Sequence, residues 1–489
     1  MGARKMHQRK EDRHREIKKS VIVRSMIAFH FIMTVVLFLC CWTLFYYFPA
    51  EIGEAAVYNQ SVCASYIFLL AVFDQVYSAY KVGTYRVGAL VRGQFFSSLM
   101  SWGFVYFLAC VMSQRLLNPL MGLVFLLIQS GFNALWMLYT NRIYFRFHRP
   151  KRTVVFYRSK EELRKIRKNE AFRGKWRIDR CICCSSQNAV SESEGCEDVI
   201  DGDTHRVMNI IGEYEAVFVS GVSADFRNSI VEHCVATQKD CYFIPSVADV
   251  MLVEAVHIKE FSETIFQAGQ SRPEPEILLL KRVFDICAAG IALLILWPLM
   301  LVIALLIKLC DRGPVIYRQT RLTKDGKEFE ILKFRSMKVS AESDGVARLA
   351  AVNDERITPV GKILRANHLD ELPQLVNILK GEMSVVGPRP ERPEIAERYT
   401  RDLPAFELRL RVKAGLTGYA QLYGRYDTEP ADKLKMDLMY INNMSLLEDL
   451  RLIFATVQVL FTRKNLQGVR MDNAASACSY AEVKMERAA

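Results

Sequence analysis

The sequence predicts a membrane α-helical N-terminal bundle of four spans and a small α/β middle domain, followed by a re-entrant membrane helix leading into a mixed α/β cytoplasmic domain. Three observations predict this. Four apolar stretches fill the first third of the chain, each close to the ~20 residues a helix needs to cross a bilayer. Short β-rich runs then alternate with helical patterns over Thr153–Asp249, the pattern of an α/β layer. Finally, the apolar run Val283–Ile307 has basic residues at both ends and a proline near its middle.

The spans come first in the chain: about Met26–Phe48, Ser61–Tyr80, Gln94–Ser113 and Leu117–Thr140, grouped as residues 26–140. The first is too long, and too soon followed by others, to be a cleaved signal peptide. Before it, the basic N-terminus 1–25 carries Arg4, Lys5, Arg9, Lys10, Arg13, Arg15, Lys18, Lys19 and Arg24. The next loop has only Glu51 and Glu54; the one after has Lys81, Arg86 and Arg92; the fourth span exits into Arg142, Arg146, Arg149, Lys151 and Arg152. The positive-inside rule therefore puts the N-terminus, the middle loop and everything after Thr140 in the cytoplasm. Asp74, inside the second span, is an intramembrane carboxylate and so either a functional group or an interhelical hydrogen-bond partner.

Composition narrows the class. The chain of 489 residues is 51% hydrophobic and 24% charged, too polar for a fully buried polytopic transporter and too apolar for low-complexity disorder. Its Lys+Arg count of 65 against 53 Asp+Glu gives +12, and the surplus lies beside apolar segments. That fits cytoplasmic membrane flanks and a lipid environment. No zinc-finger spacing or repeated basic–aromatic motif points to a nucleic-acid partner. Of 13 Cys, several (Cys40, Cys41, Cys63, Cys110, Cys287) sit in apolar runs as small hydrophobes. Cys181, Cys183, Cys184 and Cys196 repeat no CxxC pair and have only His205 nearby, so reduced thiols are expected rather than a zinc site.

The middle segment, 141–272, has strand-like runs at Thr153–Tyr157, Ala216–Ser220 and Cys241–Ile244, with helical patterns at Lys160–Phe172 and Asp225–Lys239. This predicts a small parallel sheet, an α/β Rossmann-like domain. The turn after its first strand, Arg158-Ser159-Lys160, lacks the glycines that let a backbone approach a pyrophosphate. A degenerate domain with a regulatory or scaffolding role is expected. Pro273 and Pro275 punctuate a linker to a new start at about Leu278.

Residues 278–310 form the next element. Val283–Ile307 has the length of a span, yet Lys281 and Arg282 precede it and Lys308, Arg312, Arg318 and Arg321 follow. Both ends ask for the cytoplasm. Pro298 removes one backbone donor and is expected to break the helix, giving a helix–break–helix that dips in and returns, its freed groups finding protein or interfacial partners.

The last ordered segment, 311–464, is dense in paired polar motifs. The runs Tyr317-Arg318-Gln319 and Gly326–Met337 alternate apolar with basic positions, as a strand or hairpin would. Then come Arg356–Arg365, Leu369-Asp370-Glu371-Leu372-Pro373-Gln374 and Gly381–Pro390. An Asp with a Pro three residues on reads as a helix start with Asp370 near the N-cap, which would aim free amides at a phosphate. The pair Asp370 and Glu371 suits Mg²⁺, which prefers oxygen ligands and substrate phosphates. Arg365, Lys333, Arg335 and Arg389 could neutralise phosphate charge, and a carboxylate can attack phosphorus directly. The small polar tail 465–489 is expected to be flexible.

Here a resemblance becomes specific. Lys281–Lys464 resembles the bacterial sugar transferase domain of the polyprenol-phosphate phosphoglycosyl transferases. The matching stretches are KRVFD, the apolar helix with its proline, YRQTRLTKDGKEFEILKFRSM, RITPVGKILR, LDELPQLVNILKGEMSVVGPRPERPE and GLTGYAQLYGR. The preceding spans and α/β segment resemble the long, polytopic members that prime exopolysaccharide or capsule synthesis. The resemblance implies that Asp370 attacks the β-phosphate of a UDP-sugar, releasing UMP, and that undecaprenyl phosphate then takes the phosphosugar. It gives Glu371 a part in Mg²⁺ binding, places Arg365 and Arg389 at phosphate- or nucleotide-binding positions, and makes the helix with Pro298 a structural feature. It also implies a multi-pass protein of the bacterial cytoplasmic (inner) membrane, its catalytic domain on the cytoplasmic face, with room for a homo-oligomer or polysaccharide-assembly partners. Leu322-Thr323, Lys413-Ala414-Gly415 and Tyr419 depart from the family's usual residues. Long members point to a hexose, although nothing in the sequence reads the sugar. The alternatives are a catalytically dead scaffold of a polysaccharide export complex, against which the intact dyad counts, and a nucleotide-sugar-modifying enzyme, against which the missing glycine loop counts.

Overall fold

The computed structural model describes residues 2–47, 54–83, 85, 87–148, 150–159, 162–164, 166, 175–184, 198–199, 204–253, 256–258, 265–267, 275–338, 354, 356–424 and 428–460. The expected tail 465–489, Cys196, Arg272 and most of the helix expected at Lys160–Phe172 lie outside the described residues. The chain divides into two compact units, Met1–Ile244 and Pro245–Ala489.

The first unit begins with four long helices: α1 (Gly2–Cys41, continued by a π-helical turn Trp42–Tyr46), α2 (Glu54–Val76), α3 (Val87–Ser113) and α4 (Pro119–Phe147). Each contains a segment long and apolar enough to cross a membrane. Lipid tails give apolar side chains no reason to prefer protein, so helix contacts in a membrane rely on small and polar residues. Ser97, Ser98 and Ser101 of α3 are accordingly buried. Gln129 and Asn133 of α4 both donate to Ser98 Oγ, at 2.9 and 3.2 Å, and His30 Nε2 of α1 lies 2.9 Å from Asn133 Oδ1. Asp74 lies in the last turn of α2, where Ser97 Oγ donates to it at 2.6 Å. It is an interhelical hydrogen-bond partner.

After the helices comes a parallel sheet of β1 (Lys151–Tyr157), β2 (Trp176–Cys183), β3 (Asp198–Val199), β4 (Ala216–Ser220) and β5 (Asp240–Phe243), in the order β3-β2-β1-β4-β5. The central strands are nearly continuous apolar runs because both faces are covered. Val154 and Phe156 pack with Val207 and Ile211 of α5 (Thr204–Gly212) and Ile230 of α6 (Ala224–Ala236). Val155 and Tyr157 face the other way, against Leu163 and Ile166. A doubly wound sheet binds ligands at the C-terminal ends of its strands, where the strand order reverses, here between β1 and β4. Glu162 fills that place. Its Oε2 accepts from the Arg158 and Ser159 amides at 3.2 and 3.3 Å, and a Cβ on Gly221 (φ +67°) would fall 1.9 Å from its Oε1.

The second unit contains α7 (Val247–Leu252), an antiparallel pair β6 (Val256–Ile258) and β7 (Ile265–Gln267), and the long helix α8 (Pro275–Asp311). The antiparallel hairpin β8 (Ile316–Leu322) and β9 (Glu328–Phe334) follows, as the alternating motif predicts. Next are α9 (Pro359–Ala366), a 3-10 turn Leu369–Glu371, α10 (Gln374–Lys380), β10 (Ser384–Val386), α11 (Pro393–Asp402) and a 3-10 segment Pro404–Arg411. Finally come β11 (Gly415–Thr417), parallel to β10, then α12 (Tyr419–Tyr423), α13 (Pro430–Asn442) and α14 (Leu446–Leu460). The boundary between units precedes the expected one at 272. Val247, Val250 and Met251 of α7 join the core formed by Val386, Phe406, Leu434 and Leu438, and Asn442 donates to the Val250 carbonyl at 3.1 Å.

The expected break at Pro298 is absent: α8 is one helix of 37 residues with Pro298 inside it. Tertiary contacts on both sides of the proline offset its lost hydrogen bond. Before it, Ala289, Ala292, Leu293 and Leu296 pack on Phe329, Ile331, Ile378 and Met383. After it, Met300, Ile303, Ala304 and Ile307 pack on Phe334 and Leu364. Leu294, Ile295, Trp297, Val302 and Leu305 stay exposed on the rest of the surface.

Polar anchors fix the start of α8. Lys281 Nζ meets Asp449 Oδ2 at 2.5 Å, and Arg282 donates to the Ile378 and Leu379 carbonyls at 2.6 and 2.8 Å, covering the C-terminus of α10. Asp285 accepts from Ser384 Oγ and the Val385 amide at 3.0 and 2.9 Å.

Candidate active site

The dyad Asp370–Glu371 sits where one helix stops and another begins. Helix α9 starts on Thr358, whose Oγ1 accepts from the Gly361 amide at 2.9 Å, with Pro359 in the first turn. It ends before His368, which takes a left-handed conformation (φ +54°) that few non-glycine residues adopt. That reversal folds Leu369–Glu371 into a 3-10 turn, with the Glu371 amide donating to the His368 carbonyl at 3.2 Å. Asp370 is therefore not the N-cap that its spacing to Pro373 suggested: Pro373 itself precedes α10, and no side chain caps that helix. Leu369 and Leu372 pack against the cluster that includes Ile303 and Ile307, which seats the turn on α8.

The two carboxylates have different partners. Glu371 Oε1 accepts from Lys333 Nζ of β9 at 2.8 Å and from Arg389 Nη2, three residues beyond β10, at 3.1 Å. Burial alone would raise the Glu371 pKa, but Arg389 and Lys333 outweigh it and hold the group far below the usual carboxylate range. Asp370 has no side-chain hydrogen bond among the described residues. Burial raises its pKa and the Glu371 charge adds to that, against partial relief from Lys333, Arg365 and His368. Adjacent acids whose environments push them apart are the usual sign of divided roles. Glu371 is a fixed anion within a cationic pair, and Asp370 is a desolvated carboxylate with an uncommitted side chain.

Of the predicted site residues, the structure brings Lys333, Arg389, Glu371 and Asp370 together, with Arg365 close enough to act on Asp370. Arg335 is buried one residue past the end of β9, where its amide donates to the Val315 carbonyl at 2.9 Å. Sequence reasoning passed over His368, since a lone histidine gives no sign of a left-handed backbone, and Arg409, one of several arginines in an unremarked run. Two of the residues singled out in the sequence, Thr323 and Tyr419, are hydrogen-bonded to distant parts of the second unit. Thr323 Oγ1 donates to the Glu382 carbonyl at 2.8 Å and accepts from the Ala414 amide at 3.2 Å. Tyr419 OH donates to Glu448 at 2.6 Å.

Residues 277–463 match the family model described as bacterial sugar transferase. Among curated proteins, the chain is 46% identical over 191 residues to the UDP-glucose:undecaprenyl-phosphate glucose-1-phosphate transferase of Escherichia coli (strain K12), covering 38% of this chain and 41% of that protein. It is 39% identical over 224 residues to the UDP-N-acetylgalactosamine-undecaprenyl-phosphate N-acetylgalactosaminephosphotransferase of Aeromonas hydrophila, covering 43% and 53%. It is 45% identical over 197 residues to the exopolysaccharide production protein PSS of Rhizobium leguminosarum bv. phaseoli, covering 38% of this chain and 97% of that one. The longer relatives are thus matched over only about half their length or less, 41% to 53%.

Proposed function

The chain belongs to the bacterial sugar transferase family, and from that membership and the dyad's geometry we propose that it moves a sugar-1-phosphate from a UDP-sugar to undecaprenyl phosphate, priming exopolysaccharide or capsule synthesis. One observation carries the reading: Glu371 is held by Lys333 and Arg389 while Asp370, beside it, keeps an uncommitted carboxylate of raised pKa. A single carboxylate among cations would serve as a salt bridge; the pair supplies a nucleophile and a template for cations.

In the proposed first step an Asp370 oxygen attacks the β-phosphorus, the bond from that phosphorus to the bridging oxygen breaks, and UMP leaves with the electron pair. The sugar–phosphate bond is untouched. In the second, a phosphate oxygen of undecaprenyl phosphate attacks the same phosphorus, the acyl-phosphate bond breaks, and Asp370 is regenerated. Arg389 and Lys333 offset charge on the phosphoryl oxygens, with Glu371 fixing where the two cations stand. Arg365 approaches from α9.

The donor set also fits Mg²⁺. Among the described residues, no group of three or more His, Cys, Asp or Glu is placed to hold a metal ion. Mg²⁺ commonly takes only one or two carboxylates and fills its shell with water and substrate phosphate. Asp370 and Glu371 would hold it, and it would neutralise the diphosphate.

We read α8 as entering the membrane from the cytoplasmic face and staying with that face. Lys281 and Ile307, 26 residues apart in α8, are fastened to the same α/β unit, a distance of about 39 Å at 1.5 Å per residue. A helix crossing the ~30 Å hydrocarbon layer could not keep both ends on one water-borne domain. The four preceding helices then form the multi-pass part in the cytoplasmic membrane.

The test is UMP release by membranes given undecaprenyl phosphate, Mg²⁺ and a panel of UDP-sugars. The panel includes UDP-glucose, UDP-galactose and UDP-N-acetylgalactosamine, with a hexose expected. UDP as the product would indicate a glycosyltransferase instead. No nucleotide product with any donor would return the chain to a scaffold role.

A further inference from the structure

We infer that Arg409 is a positioning residue for Arg389, acting through the main chain of the loop that carries it; this rests on the part played by Arg389 in the proposed transfer. The loop Pro388-Arg389-Pro390-Glu391 contains two prolines, which lack amide donors, and it belongs to no strand ladder. Its four consecutive carbonyls are instead each taken by a donor from elsewhere. The Gly415 amide donates to Pro388 O at 2.8 Å and Arg409 Nη2 to Arg389 O at 2.8 Å. Arg321 Nη1 donates to Pro390 O at 3.1 Å and the Leu322 amide to Glu391 O at 3.0 Å. Backbone groups need partners, but a buried guanidinium, that of Arg409, and a half-buried one, that of Arg321, are a costly way to supply them. That expense is understandable where the held peptide points a side chain at the reacting centre.

Arg409 is 3% exposed. It stacks on Phe406 with its guanidinium carbon 4.8 Å from the ring centroid, and it is anchored by Asp437 Oδ2 at 2.8 Å and Glu391 Oε1 at 3.5 Å. The guanidinium thus ties α13, through Asp437, to the carbonyl of Arg389, whose own guanidinium meets Glu371. Neighbouring geometry leaves the loop little room: a Cβ on Gly415 would fall 2.0 Å from the Gly387 nitrogen. Lysine cannot replace the fork. Its single ammonium is a point charge that cannot span Asp437, Glu391 and the Arg389 carbonyl together.

The test uses the full chain and the variants Arg409→Lys, Arg389→Ala and the double variant, with UMP release, amide hydrogen exchange and thermal unfolding as readouts. In the wild-type background we expect Arg409→Lys to lower kcat/KM about 10- to 100-fold, the usual scale for losing a group that orients a reacting residue. In the Arg389→Ala background the same change should cost less than about twofold, because the group it positions is already gone. Exchange at the Leu322 and Gly415 amides should quicken while α13 keeps its protection. An equal fold-loss in both backgrounds would make Arg409 merely structural, and unaltered exchange at those two amides would show that it does not hold the loop; either overturns the inference. Should Arg409→Lys fail to fold, Asp437→Asn loosens the same anchor and must show the same dependence on Arg389. If wild type releases no UMP, the proposed function has failed, and the exchange measurement still decides whether Arg409 clamps the loop.

Discussion

Two glutamates, one in each unit, show how partners decide what a carboxylate does. Glu162, at the C-terminal edge of the middle sheet, is satisfied by the amides of its own loop and occupies the crevice between β1 and β4. Glu371 is satisfied by two side-chain cations from different elements, and beside it stands Asp370, which shares neither cation by hydrogen bond. The first arrangement closes on itself. The second leaves a desolvated oxygen facing positive charge, which is the condition a nucleophilic carboxylate needs.

The comparison can be broken most severely at Asp370. Asp370→Asn keeps the size and removes the proposed nucleophile, so UMP release should fall on the order of 10³-fold or more, as when a covalent nucleophile is lost. Glu371→Gln should cost on the order of 10²-fold by releasing Lys333 and Arg389 from their shared anion. Thermal unfolding at neutral pH should separate the two. The Asp370 pKa is raised in the fold, so its charged form opposes folding at neutral pH, and the Asn variant should unfold at or above the wild-type temperature. The Glu371 pKa is depressed, so its charge contributes stability at any pH above the ordinary carboxylate range, and the Gln variant should unfold lower. A stabilised Gln variant paired with a destabilised Asn variant would reverse the roles of the two acids.

A smaller effect follows from pH. In the proposed transfer Asp370 must be ionised to attack, and burial and Glu371 raise its pKa. Activity should therefore be lost as pH falls through a midpoint above the ~3.9 of an ordinary aspartate, with loss on the acid side only. Glu371 should not contribute to that limb. An acid limb at or below the ordinary value would argue that Asp370 is not desolvated in the working enzyme.

Truncation sharpens the boundary between the units. A chain beginning at Pro245 keeps α7 and should retain UMP release. One beginning near 272 loses the burial of Val250 and the Asn442 bond, and should be less stable by about 2 kcal/mol. Equal stability of the two would put α7 outside the second unit. The smallest effect is expected at Glu162: Glu162→Ala should leave turnover within about twofold of wild type, as for a site with no shared partner.

Much of the fold is legible in the sequence, and the rest is hidden for physical reasons. The spans and the strands β1, β4, β8 and β9 announce themselves because their burial period is local. The motif Lys281-Arg282-x-x-Asp285 is visible, but its partners are not, since Asp449 lies 168 residues away. The cap expected at Asp370 fails because aspartate's preference for helix starts is a local tendency, and the left-handed turn at His368 overrides it. A local rule of the same kind makes Pro298 a break; packing along both halves of α8 keeps one helix. The cations Lys333 and Arg389 are legible as charge near a carboxylate pair. Their meeting on one oxygen of Glu371 depends on a hairpin and a loop folding together, and no spacing in the sequence expresses that.

The most direct test of the divided dyad is peptide mass spectrometry of wild-type protein incubated with the UDP-sugar it accepts and no undecaprenyl phosphate. A sugar-phosphate adduct should appear on the peptide containing Asp370, vanish on later addition of undecaprenyl phosphate, and be missing from Asp370→Asn. An Asn variant that turns over at a near-native rate, or wild type that releases UMP only when both substrates are present and never carries the adduct, would mean that undecaprenyl phosphate attacks the UDP-sugar directly and that Asp370 is not the nucleophile.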